Sequence, residues 1–334
     1  MNVFAILAVV VLLAFIAYAT ARIGPRFMVR RLAGLVFVLL GVSFIIFILG
    51  FFAPGDAVFT QLGQHYTPQA AAALRHAYGL DLPWYTQYLN YLNRLIHFDL
   101  GTSFTNDTRT VWQILQLYVP ASVQLGISGT VLALIVGVPL GILAAVRANS
   151  RVDASLQAVG LVFYALPSFV IIPLFFVAMV SLHQRGIPTL ATSGWGTIDS
   201  EIAPIAIFGL GIFAYYLRLT RASMLEVLGQ DYVRTARAKG VRERVVVWRH
   251  AFRNAVIPLL TAVGPALAFA VVGVFIVEDF FNIPGIGEET INAISQRDFP
   301  IVQGVTILLA SAVVFMNLVT DVAYGLADPR IKTQ

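Results

Sequence analysis

Leu32–Ala53 reads LAGLVFVLLGVSFIIFILGFFA, an apolar run with no charged residue in it. A helix needs about twenty such residues to cross the hydrocarbon core of a bilayer, so the run is a membrane span. Working outward, six more segments read the same way: Val3–Thr20, Val119–Val146, Ala154–Leu182, Ile202–Leu217, Ala255–Val277 and Phe299–Thr320. The whole chain agrees, with 58% hydrophobic and 12% charged residues over 334 positions. Soluble domains carry about a quarter charged residues, so an all-α integral membrane protein follows. Ile202–Leu217 is the shortest span and is extended if Arg218 snorkels to the headgroups. Pro139, Pro167, Pro173 and Pro265 fall inside spans and predict kinks, which membrane helices accommodate when neighbours satisfy the freed carbonyls.

Orientation follows from the Lys and Arg residues. Of the 22, only Arg75, Arg94, Arg109, Arg185 and Arg297 fall on one side of the predicted membrane; all the others fall on the opposite side. The amino terminus is therefore expected outside and the carboxyl terminus in the cytoplasm of a multi-pass protein of the plasma or inner membrane. Ala17-Tyr18-Ala19 could mark a signal-peptidase site, but no basic region precedes the apolar run. The first segment is read as a retained helix, and the alternative is a functional chain that begins near Met28. Two polar pieces remain. One, residues 54–118, is an external insertion containing PQAAAALRHAYGL (Pro68–Leu80), a helical composition with Gly79 placed as a stop. The other is a basic cytoplasmic loop at 221–255.

Absent chemistry narrows the function. Cysteine is missing, so thiol catalysis and thiolate metal sites are excluded. Neither lysine, Lys239 or Lys332, stands in a phosphate-cradling glycine loop, and His65, His76, His97, His183 and His250 are not spaced as metal ligands. No catalytic, cofactor-binding or metal residues are expected, and the chain is not an enzyme by itself. The acid pairs Glu278–Asp279 and Glu288–Glu289 border a span and read as solvated or interfacial charge. Ionisable residues are missing from the middle of the spans, where Asn317 is the main polar residue of the last helix. This argues against an ion-coupled carrier and for a pathway driven from elsewhere.

The loop contains DYVRTARAKGVRERVVVWRHAFRNAVIP (Asp231–Pro258), with seven basic residues. Its sign is what the inside position already requires, so it gives no reason to expect nucleic acid. Asp231 is placed as an N-cap, and Tyr232, Thr235, Ala236 and Lys239 share one helical face. Gly240 allows a corner, and a second amphipathic stretch, Arg242–Asn254, leads to Pro258. Membrane lipid is one partner for such a loop. Small residues in place of bulky apolar anchors favour a cytoplasmic protein instead.

At these residues the chain resembles the membrane permeases of ATP-binding-cassette importers, in the dipeptide/oligopeptide/nickel branch. The general family signature is E-A-A-x-x-x-G, of which only Ala236 and Gly240 match. The branch form R-T-A-x-A-K-G matches Arg234, Thr235, Ala236, Ala238, Lys239 and Gly240, and H-x-x-x-N-x-x-I-P matches His250, Asn254, Ile257 and Pro258. Further resemblances run in order along the chain: the A-P-G-D entry at Ala53–Asp56, YGLDLP (Tyr78–Pro83) and FDLGTSF (Phe98–Phe104). FNIPGIG (Phe281–Gly287), SQRDFPIVQG (Ser295–Gly304) and ADPRI (Ala327–Ile331) complete the series. Met1–Phe27 lies outside the family's usual core.

The resemblance implies a type I importer permease: a six-helix core over 28–334 plus an extra amino-terminal transmembrane helix at 1–27, with the external domain between the first two core helices. It implies a second homologous permease, two cytoplasmic ATP-binding subunits that hold ATP and Mg, and an external solute-binding protein. Arg234, Thr235, Ala236, Ala238, Lys239, Gly240, His250, Asn254 and Pro258 would couple to the ATPases. Glu278, Phe281, Asn282, Pro284, Gly285 and Gly287 are assigned to an external gate or binding-protein contact, or to a simple turn. Peptides are the implied solute, with a nickel chelate or a glutathione-like solute as alternatives. A channel or secondary carrier working without ATPases stays open at this point.

Overall fold

The computed structural model describes residues 24–260 and 274–327, apart from 54, 56 and 107, together with residues 18, 20, 21 and 262. The expected first helix and most of the 261–273 stretch of the sixth span lie outside the described residues. The chain is helical: α1 Pro25–Phe52, α2 Ala57–Leu62, α3 Pro68–Ala77, α4 Trp84–Ile96 and α5 Val111–Val146. There follow α6 Arg151–Ala165, α7 Ser168–Gln184, α8 Ile198–Leu228, α9 Asp231–Ala238, α10 Glu243–Val245 and, after a π-helical turn, α11 at 253–260. The last three are α12 Phe275–Phe281, α13 Ile286–Gln296 and α14 Phe299–Ala327. Among the described residues the only extended pairing is a single antiparallel bridge, Thr102 with Thr110.

Four described helices, α1, α5, α8 and α14, are long and apolar enough to cross a membrane. The bent pair α6 and α7 makes a fifth if taken as one span. Two expectations change here. Ala154–Leu182 is not one rod, because α6 and α7 meet at 96°. Leu166 is extended (φ −85°, ψ 111°) and Pro167 caps α7, as a proline forces on the residue before it. Pro120, Pro139, Pro173 and Pro204 instead stay inside helices. The short span Ile202–Leu217 is in fact the 31-residue α8. A Thr197–Ser200 capping box starts it, and it continues through Arg218 and Arg221, so the basic loop expected from 221 begins after Leu228.

The chain divides into two compact units, one of residues 1–112 and 296–334 and one of 113–295. In the first, α1 packs along α14. An aromatic cluster joins the polar insertion to α1, with Phe47 against Tyr88 and Tyr91 at ring-centroid distances of 5.2 and 6.2 Å. Asp298 is fully buried at the start of α14. It accepts hydrogen bonds from the Ser103 hydroxyl, the Thr105 hydroxyl (2.7 Å) and the Thr105 amide (3.0 Å). The Tyr78 ring stacks on Phe104 at 4.6 Å. Three of the motifs that carry the resemblance, YGLDLP, FDLGTSF and SQRDFPIVQG, are thus tied into one piece of structure.

In the second unit, α5 and α8 approach with almost no side chain between them. A Cβ on Gly137 would lie 2.7 Å from the Phe213 carbonyl oxygen, and one on Gly141 2.6 Å from that of Leu217. Gly137 and Gly141 form a G-x-x-x-G pair, the spacing that lets membrane helices touch through their backbones. This signal stood in the sequence and was missed. Around the contact, Ala133, Phe213, Ala214, Tyr216 and Leu217 are buried together.

Candidate functional site

The basic segment folds as a hairpin of helices. Gln230, in extended conformation, caps α9. Asp231 is therefore the first helical residue and not the cap; its exposed carboxylate lies 3.6 Å from Arg234 one turn on. The face that α9 buries is Val233 (0% exposed) and Ala236 (7%), closed over Val246. Of the face expected from spacing, only Ala236 is buried; Tyr232, Thr235 and Lys239 are exposed. Val233 and Ala236 sit three residues apart, one turn of the same side, and they take the apolar partner because Val233 is the only bulky aliphatic residue in the helix.

Gly240 ends α9 with φ 73°. Its amide donates to the Arg237 carbonyl (3.0 Å) and that of Val241 to the Ala236 carbonyl (3.3 Å). These are the paired bonds of a Schellman stop, whose left-handed residue favours glycine. Arg237 then grips Glu243 with two hydrogen bonds of 3.1 and 2.7 Å. The guanidinium holds the Glu243 carboxyl below its ordinary value, so this bond persists at neutral pH and is lost as pH falls through that lowered value.

The second limb, Val246–Phe252, is π-helical. Val247, Ala251 and Ala255 bury against Ile142, Ala145 and Met224, which seats the limb on the ends of α5 and α8. His250 Nδ1 donates to the Val245 carbonyl (3.3 Å). Asn254 donates to the Tyr232 hydroxyl (2.8 Å) and to the His250 carbonyl (3.4 Å). The H-x-x-x-N-x-x-I-P element is therefore tied by one side-chain bridge to Tyr232, in the first turn of α9 and two residues ahead of R-T-A-x-A-K-G. Arg234, Thr235, Ala238, Lys239 and Gly240 are left together on the surface, and Pro258 lies exposed on α11. The result is a small, internally braced knob with a basic rim.

The second candidate group is a turn between α12 and α13. Asn282 is left-handed (φ 50°), and Glu278, expected as a solvated charge, is fully buried. Its Oε2 accepts from the Gly287 amide (2.7 Å) at the start of α13, where a helix favours an anion. A Cβ on Gly285 would fall 2.2 Å from the Glu278 carboxyl carbon, and one on Gly287 2.5 Å from Phe275 Cα. Gly285 leaves the space that the carboxylate fills, and Gly287 lets α13 start close against Phe275. Phe281 is also buried, with Phe176 edge-on at 5.1 Å. Of the six residues assigned to an external contact, only Asn282 and Pro284 reach the surface. Glu278→Ala is expected to lower stability by about 1–3 kcal/mol, because the Gly287 amide stays buried without an acceptor. Glu278→Gln, which keeps a carbonyl oxygen there, is expected to recover part of that in thermal unfolding measured in detergent.

Among the described residues no group of His, Cys, Asp and Glu is placed to hold a metal ion. Comparison with known proteins adds to this geometry. The family model described as "binding-protein-dependent transport system inner membrane component" matches residues 137–333, and its amino-terminal companion model matches residues 25–126. The dipeptide transport system permease protein DppB of Bacillus subtilis (strain 168) is 33% identical over 307 residues, covering 92% of this chain and 98% of the relative. That of Escherichia coli (strain K12) is 33% identical over 336 residues, with the same shares covered. The di/tripeptide transport system permease protein DppB of Pseudomonas aeruginosa (strain UCBPP-PA14) is 37% identical over 333 residues, covering 92% of this chain and 99% of the relative.

Proposed function

This chain belongs to the family of binding-protein-dependent transport system inner membrane components, and we propose that it forms half of the membrane pathway through which an ATP-driven importer takes up di- or oligopeptides. The peptide assignment rests on the relatives, whose names specify dipeptides and di/tripeptides along nearly their whole length. None of the three relatives named above specifies a nickel chelate or a glutathione-like solute. A second homologous permease completes the pathway, two ATP-binding subunits supply ATP and Mg chemistry, and an external binding protein delivers the solute. The amino terminus faces outward, the hairpin faces the cytoplasm, residues 54–118 lie outside, and residues 1–27 add one crossing to the 28–334 core.

The observation that carries this reading is the braced knob. Its inner face is closed by Val233, Ala236 and Val246, and its two limbs are bridged by Asn254 and Tyr232. Being stiff, it can transmit force, and its exposed rim of Arg234, Lys239 and Gly240 offers cations and a bare backbone to a partner's groove. Closure of the ATPases would move the knob, and the limb seated on α5 and α8 would carry that motion into the membrane as rigid-body rotation. Asn282 and Pro284 are the exposed candidates for contact with the binding protein.

Affinity purification of the tagged chain from its native membrane tests this. ATP-binding subunits are expected to accompany it, and the reconstituted assembly is expected to hydrolyse ATP faster when peptide-loaded binding protein is added. Transport of dipeptide by the chain alone in ATP-free vesicles would instead identify a channel or secondary carrier.

A further inference from the structure

We propose that the groove between the amino-terminal end of α1 and the carboxyl-terminal half of α14 is a binding site for one anionic glycerophospholipid. The groove is a cavity of about 470 Å³, with Arg30, Arg31, Asn317 and Asp321 at its polar end. Asp321 is already committed, since its carboxylate lies 3.1 Å from Arg31, whose guanidinium also sits 5.4 Å from the Phe27 ring. Arg30, and Arg26 one turn before it, have no partner among the described residues, and neither does the Asn317 amide. Among the described residues the polar end therefore keeps an uncompensated positive charge and a spare amide donor on two helices otherwise built for lipid. Such groups in a membrane find partners. A phosphodiester takes both, because its oxygens accept charge-assisted hydrogen bonds from guanidinium and amide alike.

The rest of the groove argues for a lipid over a free phosphate. Beyond the arginines it is lined by Gly34, Leu35, Val38, Val314 and Leu318. At Gly34 a Cβ would meet nothing within 4 Å, so the wall is open where an acyl chain would lie. From Arg30 to Val38 the helix rises about 12 Å, enough for a headgroup and the upper part of a chain. The polar end falls at the basic, cytoplasmic side of the membrane, where anionic headgroups draw arginine. That location rests on the orientation proposed above, but lipid occupancy of the groove can be read without it.

The test uses the full chain, purified with its accompanying subunits and moved into nanodiscs of phosphatidylcholine with or without phosphatidylglycerol. Retained lipid is read by native mass spectrometry. Wild type is expected to retain phosphatidylglycerol over phosphatidylcholine. Arg26→Gln with Arg30→Gln should weaken retention about 25-fold, about fivefold for each charge removed. Gly34→Leu fills the open groove with every arginine in place and should also displace the lipid, while Arg30→Lys should keep it. Equal retention of both lipids by wild type would overturn the proposal, as would undiminished phosphatidylglycerol on both disabling variants. Displacement by glycerol 3-phosphate alone would reduce the site to a phosphate site. Binding that emerges only after deletion of residues 1–21 would give the groove to that segment.

Discussion

Gly240→Trp is expected to insert and assemble normally and to hydrolyse ATP at the basal rate only, with no response to loaded binding protein. The reasoning separates backbone from bulk. Gly240 is left-handed, with φ 73°, so any side chain there costs about 1–2 kcal/mol. A Cβ at the position meets nothing within 4 Å, so tryptophan clashes with nothing in the chain itself. Gly240→Ala carries the same backbone cost without the bulk. If the knob seats in a groove of the ATPase, alanine is expected to keep most of the stimulated hydrolysis and tryptophan to lose it. Matched rates for the two variants would remove the docking role from this corner and leave Gly240 as a helix stop alone.

What could be read from sequence divides along physical lines. Spans were legible because hydrocarbon admits few compromises, so Leu32–Ala53 could be nothing else. The knob was legible through two spaced motifs, and its corner through Gly240. Pro167 was not distinguishable from Pro139 and Pro173, because whether a proline breaks a membrane helix depends on neighbours that satisfy or abandon the freed carbonyl. Glu278 looked like surface charge because it is paired with Asp279 at the border of a span. What lets it be buried is the room left by Gly285, in a stretch whose glycines and proline read as a turn. The true reach of α8 was hidden for a similar reason: Arg218 and Arg221 look like the edge of a loop until their partners are known. Arg218 lies over the Tyr164 ring at 4.4 Å, and Arg221 meets an acid 68 positions away.

That acid sets the second large effect. Asp153 is 4% exposed and takes two hydrogen bonds from Arg221, at 2.7 and 2.6 Å, and one from the Asn149 amide at 3.0 Å. The pair fastens α6 to α8 near the base of the knob. Removing one partner of a buried ion pair costs about 3–5 kcal/mol, because the other charge stays buried without compensation. Arg221 is itself a quarter exposed, so Arg221→Ala is expected near the lower bound, about 3 kcal/mol, in reversible unfolding in mixed micelles. Asp153→Leu alone should cost a similar amount, for it strands the guanidinium and the Asn149 amide. The double variant Asp153→Leu/Arg221→Met is expected to be more stable than either single, since apolar side chains of similar size can replace such a pair with little loss. It should nevertheless couple poorly, because the bidentate geometry that fixes one register between α6 and α8 is gone. Additive losses in the double variant would show that the two side chains act separately, and full stimulated ATP hydrolysis in it would show that the fastening plays no part in transmission.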